Sequence, residues 1–291
     1  MPTATLPDNN ATLVTETLKK VASIATLPEV TAKIVTIVED PKSTAAALHK
    51  VVAHDPALAT RILKVVNSAF YGLPGQIGSV ERAIVLLGLN AIKNIAVAAS
   101  LGQLFRGVKL CEGFTAKDLW THCIAVGVTA RELARQMKLP IADEAFLAGL
   151  IHDTGLLVSL QVWPDKLKAV CETAQKSDRD FCEIERELTG TDHQQLGQGL
   201  AELWKFPRPC QMVAGFHHKP ASLGDQHRML VTLVFIADTL CCRQNRGFNL
   251  TALRQKYEDA GILDLKIDPM LIEQTAGKLD DLVSSATAVL S

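Results

Sequence analysis

Apolar positions recur along the chain with helical spacing. Val30, Ile34, Ile37 and Val38 follow an i, i+4, i+7, i+8 rhythm, and Leu58, Ile62, Val65 and Val66 do the same. Ile84 and Leu87, then Ile92, Ile95, Ala96 and Ala99, continue the pattern, while alternating Val/Ile/Thr runs that would mark strands are scarce. The rhythm predicts an all-α protein. Pro28, Pro41 and Pro56 stand where first helical turns begin, with Ser43/Thr44 and Asp55 as N-caps. Thr191 and Gln194 have capping-box spacing ahead of the Leu196, Leu200, Trp204 face. Pro207 ends that helix, and the next one is expected between Pro207 and Pro220. A last helix starts near Pro269 and carries Leu271, Leu279, Leu282, Val283 and Leu290.

Punctuation divides the chain. Residues 1–10 read as a loose tail, and glycine and charge return around Gly107–Gly113. The expected organisation is an N-terminal helical lobe over 11–106 packed on a second bundle over 114–291. Thirty Lys+Arg against 31 Asp+Glu leave a net charge of −1, which argues against whole-surface binding to nucleic acid or anionic membrane. The longest run without Asp, Glu, Lys or Arg, Val65–Val80, is broken by Gly72, Pro74 and Gly75 and cannot span a bilayer. The N-terminus lacks a signal-peptide pattern. Seven cysteines without a CxxC spacing argue against a disulfide framework or zinc ribbon, and a reducing cytoplasm is the expected compartment.

Chemistry enters as polar residues on apolar helices. The segment Ala145–Leu160 is apolar nearly all round, which marks a central buried helix, yet it contains His152 and Asp153. A buried carboxylate must be paired, protonated or bound to metal. The anomaly recurs at His122, on the stripe of Leu119, Val126 and Leu133, with Asp118 one turn before it. It recurs again at His193, at the pair His217-His218, and at Asp238 in an apolar helix. Imidazole and carboxylate together suit a divalent transition metal such as iron, manganese or zinc. No phosphate-binding glycine loop, nucleophile elbow or HExxH motif is present.

The order His122, His152-Asp153, His193, His217-His218, Asp238 resembles the HD superfamily of metal-dependent phosphohydrolases. The resemblance implies that His122, His152, Asp153 and Asp238 form the core ligand set. It further implies that His193, His217 and His218 serve a second ion, with Asp118 as an additional acidic ligand. Leu27-Pro28, His54-Asp55-Pro56, Leu63–Tyr71 with its Asn67-Ser68, and Ser79–Gly88 look like the HDOD family, over about residues 20 to 220. HDOD domains are HD-related output domains of bacterial signalling proteins, often without a catalytic set. Within that reading His54-Asp55 is a decoy, since Pro56 makes Asp55 a helix cap. HD enzymes that cleave cyclic dinucleotides carry Lys three positions after the Asp, where this chain has Leu156. Their Gly-Tyr-Pro segment after the double His is replaced by Lys219-Pro220-Ala221-Ser222-Leu223. The expectation is a non-catalytic output or adaptor module holding one or two metal ions, meeting other signalling proteins and forming a homodimer. A metal-dependent phosphohydrolase acting on a cyclic nucleotide is the alternative.

Overall fold

The computed structural model describes residues 8–21, 28–40, 42–68, 70–105, 107 and 109–290. Helices α2 (Glu29–Glu39), α3 (Ala45–Ala53), α4 (Pro56–Val66) and α5 (Val80–Leu101) pack into an N-terminal layer. The second bundle runs from α6 (Ala116–Gln136) through α7 (Ala142–Ile151), α8 (Gly155–Val162), α9 (Pro164–Lys176) and α10 (Phe181–Thr189). It continues with α11 (His193–Leu203), α12 (Arg208–Phe216), α13 (Asp225–Arg243) and α14 (Pro269–Leu290). The all-α expectation holds. Among the described residues, strand is confined to a short antiparallel hairpin, β1 (Lys109–Cys111) with β2 (Phe114–Thr115), at the predicted Gly107–Gly113 junction.

Local signals explain the helix starts. Asp55 caps α4 by accepting from Leu58 N at 2.9 Å, with Pro56 at the first helical position, so His54-Asp55 is indeed a junction between two helices. Asp55→Ala is expected to cost about 1 kcal/mol in chemical denaturation while metal content stays unchanged. The Asn67 side chain holds the loop after α4: its amide donates to Leu63 O and Ile77 O, and its oxygen accepts from Ile77 N at 2.7 Å. At Gly88 the backbone of α5 turns to φ +84°, a conformation natural to glycine, and α5 becomes two helical segments.

Three expectations change. The helix α1 (Asp8–Lys19) begins inside the stretch read as a tail; residues 1–7 lie outside those described, as does Pro41. It packs against α8 and α11, so it belongs with the second bundle rather than with the N-terminal lobe. The cap of α11 is Asp192, not Thr191, because the Asp192 carboxylate accepts from Gln195 N at 3.0 Å and is held by Arg186. The expected single helix over Ala145–Leu160 is two, α7 and α8, separated by a turn at His152–Thr154.

Two stretches, Val80–Leu101 and Ala142–Val162, are long and apolar enough by composition to cross a membrane. Each is interrupted, at Gly88 and at the His152–Thr154 turn, and most of each is buried inside the protein, so both are core elements. All seven cysteines are free and buried.

Candidate metal centre

The α7–α8 turn places His152 and Asp153 at the middle of the second bundle. Glycine makes the approach possible: a Cβ on Gly155 would stand 1.9 Å from His193 O and 2.7 Å from Gly197 N, so α8 touches α11 backbone to backbone. The helix α6 brings His122, α11 brings His193, the C-terminal end of α12 brings His217 and His218, and α13 brings Asp238. The structure gathers these seven residues into one buried cluster, six of them with no exposed side-chain surface.

Two groups share Asp153. On one side, His122 Nε2 lies 3.0 Å from Asp238 Oδ1 and 3.8 Å from Asp153 Oδ2, and His152 Nε2 lies 3.3 Å from Asp153 Oδ2. On the other, Asp153 Oδ1 lies 3.4 Å from His193 Nε2 and 3.3 Å from His217 Nε2, while His193 Nε2 is 2.9 Å from His218 Nε2. With metal–ligand bonds of ~2.1 Å, neighbouring ligand atoms stand about 3.0 Å apart in an octahedron and about 3.4 Å apart in a tetrahedron. The observed separations fall in or near that range.

Hydrogen bonding at the far side of each ring argues for metal more strongly. His122 Nδ1 faces Arg246 O at 3.2 Å, His152 Nδ1 faces Gly149 O at 2.7 Å, and His217 Nδ1 faces Val213 O at 3.1 Å. A carbonyl can only accept, so each Nδ1 carries a proton, and each Nε2 points into the cluster. His193 Nδ1 faces the Glu185 carboxylate at 2.6 Å, and the Gln255 amide bridges His218 Nδ1 and Thr239 Oγ1. These partners orient the rings from behind, as supporting groups do in metal sites. Both Asp153 oxygens, Asp238 Oδ2 and His152 Nε2 are buried with no hydrogen-bond partner among the described residues. Such a concentration of orphaned acceptors is costly unless a cation satisfies them. The donor set fits a metal.

The charges agree. Against the cost of burial, His152, His217 and His193 hold the Asp153 carboxyl well below its usual range. Burial and neighbouring imidazoles push His217 and His218 down, keeping their lone pairs available. Burial raises Glu185, and the Glu185 carboxylate in turn holds a proton on His193 up to about 10, so that pair keeps a shared proton at neutral pH.

Asp118 does not join the cluster. Its carboxylate completes the capping box of α6, accepting from Thr115 N at 2.7 Å and Thr115 Oγ1 at 2.6 Å. Sequence reasoning missed Glu185 and Gln255. Glu185 had a readable signal, a carboxylate on the apolar face of Phe181, Ile184 and Leu188; Gln255 had none, since it reaches the site from a loop. That loop, residues 244–256, also closes the cluster. A Cβ on Gly247 would stand 2.3 Å from Asp118 O, Phe248 N donates to Asp118 O at 3.0 Å, and the buried Phe248 ring meets Phe181, whose edge meets His193.

The fold and the cluster define the class: an all-α bundle built round a buried His/Asp cluster. The HDOD domain family matches residues 24–220, and the chain belongs to that family. Asp238 and Gln255 lie beyond the matched span. An HDOD domain protein of unknown function from Geobacter sulfurreducens superposes with a TM-score of 0.81 at 19% identity, over 97% of this chain and 98% of its own. A protein from Shewanella amazonensis SB2B, provisionally named a phosphohydrolase, superposes with a TM-score of 0.75 at 23% identity, over 96% and 98%. At these identities the likeness is one of fold. A Treponema pallidum protein described as uncharacterised is 25% identical over 238 residues, and the match spans 79% of this chain and 45% of that relative's length.

Proposed function

We propose that this chain is a non-catalytic signalling output or adaptor module whose second bundle is organised around a structural metal centre. His122, His152, Asp153 and Asp238 would hold one divalent transition metal, and Asp153, His193, His217 and His218 a second; iron, manganese and zinc all suit this donor set. The observation that carries the reading is enclosure. His122, His152, Asp153, His193, His217 and Asp238 have no exposed surface, and His218 is 4% exposed at its side chain. A phosphate ester could reach them only if groups packed over the cluster, among them Gln255 on His218 and Arg246 O on His122, moved aside. Leu156, fully buried, occupies the position where related cyclic-dinucleotide hydrolases carry lysine. Signals would then pass by contact with other signalling proteins, in a bacterial cytoplasm, with a homodimer as one mode of contact. The near-neutral net charge supports protein contact over nucleic acid or membrane.

The completeness of the donor set favours a second reading, a metal-dependent phosphohydrolase. A bound metal lowers the pKa of water and supplies a nucleophile at neutral pH. Cleavage also needs a positioned cation or donor on the non-bridging phosphate oxygens, and loss of one such contact typically costs ~10²–10³ in rate. The test is metal analysis of anaerobically purified protein followed by assays on cyclic diguanylate and generic phosphodiesters. Metal present with no turnover, and no gain from Leu156→Lys, is the expected result. Robust turnover by the metal-loaded wild type, abolished by Asp153→Ala, would overturn the adaptor reading.

A further inference from the structure

A second polar site lies between the two lobes, away from the metal centre. A cavity of about 600 Å³ opens where α2 and α5 meet α6, α7 and α12, a size suited to a small-molecule ligand. Its wall contains a defect that no protein group repairs. Asn94, on α5, is 2% exposed; its Nδ2 donates to Asp143 O at 2.6 Å, and its Oδ1 is buried with no hydrogen-bond partner among the described residues. Beside it Glu144 makes no ion pair or side-chain hydrogen bond among the described residues, and burial pushes its carboxyl up. One part of the cavity therefore offers two acceptors that lack donors.

Cations line the same space. Lys93 is committed to Glu39 at 2.6 Å, and Arg131 is held by Asp143 at 3.5 Å and by the faces of Phe70 and Tyr71, with its guanidinium carbon 4.9 and 5.0 Å from the ring centres. Arg135, exposed and one helical turn from Arg131, has no carboxylate partner among the described residues. Glu39 and Asp143 neutralise Lys93 and Arg131, so the free positive charge of the cavity is Arg135. Its guanidinium is well shaped for an anionic group, with Arg131 one turn away offering further N–H donors.

We propose that this inter-lobe cavity binds a nucleoside monophosphate, with the N–H donor edge of its base on Asn94 Oδ1 and Glu144 and its phosphate at Arg131 and Arg135. Guanine, with adjacent ring and exocyclic N–H groups, matches two neighbouring acceptors best. The volume exceeds what an amino acid or free phosphate fills. The site is distinct from the metal centre. Along α6, α7 and α12, Arg131, Glu144 and Cys210 stand nine, eight and seven residues from His122, His152 and His217, or roughly 10–14 Å at ~1.5 Å per residue. The same three helices thus touch both sites, and a nucleotide that draws the lobes together acts on the elements that hold the metal ligands. Nucleotide binding here does not depend on turnover at the metal centre.

The test is calorimetric titration of the full chain, as purified with its metal, with guanosine monophosphate, adenosine monophosphate, inorganic phosphate and glutamine. Guanosine monophosphate is expected to saturate one site per chain, more tightly than the other three. Arg135→Glu, an exposed substitution that leaves the core intact, should weaken it roughly tenfold or more, the worth of one charge-assisted hydrogen bond. Glu144→Gln should weaken guanosine monophosphate more than adenosine monophosphate, with metal content unchanged in both variants. No nucleotide binding at millimolar concentration overturns the proposal. So does binding that Arg135→Glu leaves intact, or phosphate or glutamine binding as tightly as the nucleotides.

Discussion

Asp153→Ala is expected to empty both halves of the metal centre at once. Asp153 Oδ1 faces His193 and His217, while Oδ2 faces His152 and His122, so the one carboxylate serves both groups. Removing it also takes away the carboxylate that His193 and His217 share and leaves Asp238 facing His122, His152 and His218. Metal measured by plasma emission should fall to background, and the melting temperature should drop by about 10 °C or more. Bound structural metal counts directly as folding free energy, on the order of 10 kcal/mol per ion in small zinc domains. Two companion variants separate the halves: His122→Ala should lose the ion on the Asp238 side, and His218→Ala the ion on the other. Wild type stripped by chelator should approach Asp153→Ala in stability. Metal-free wild type, with Asp153→Ala destabilised just as much, would make the cluster a hydrogen-bonded core and end the metal reading.

Gly155→Ala should be nearly as damaging, although it adds a single methyl group. That methyl would stand 1.9 Å from His193 O and 2.7 Å from Gly197 N, and both obstacles are backbone. Nothing flexible can yield, so α8 must move away from α11, separating Asp153 from His193. The expected cost is about 4 kcal/mol or more, which for a chain of this size lowers the melting temperature by roughly 10 °C, with metal content falling in parallel. Gly277→Ala in α14 is the control: the space around it is open, and alanine should stabilise the helix by about 0.5–1 kcal/mol. If the two substitutions melt alike, the close approach of α8 to α11 is not what positions the centre.

What was legible in the sequence was whatever depends on short-range chemistry. Helical periodicity declares an all-α chain because each apolar face spans three or four residues. Asp55-Pro56 declares a cap because the hydrogen bond it makes reaches only three residues on. His122, His152, Asp153, His193, His217, His218 and Asp238 stood out because an ionisable group on an apolar helix face contradicts its surroundings. Tertiary structure decided everything that depends on what arrives from elsewhere. The family resemblance made Asp118 a candidate ligand, but Thr115 claims its carboxylate. The run Ala145–Leu160 looked like one helix because its apolar residues do not change character at His152. It breaks there, beside the close passage of α11 that Gly155 permits. The helix α1 looked like the start of the N-terminal lobe because it precedes it, yet it packs on α8 and α11. Gln255 carries no local sign at all. It sits 37 residues beyond His218, and only the return of the 244–256 loop over the bundle brings its amide to that ring.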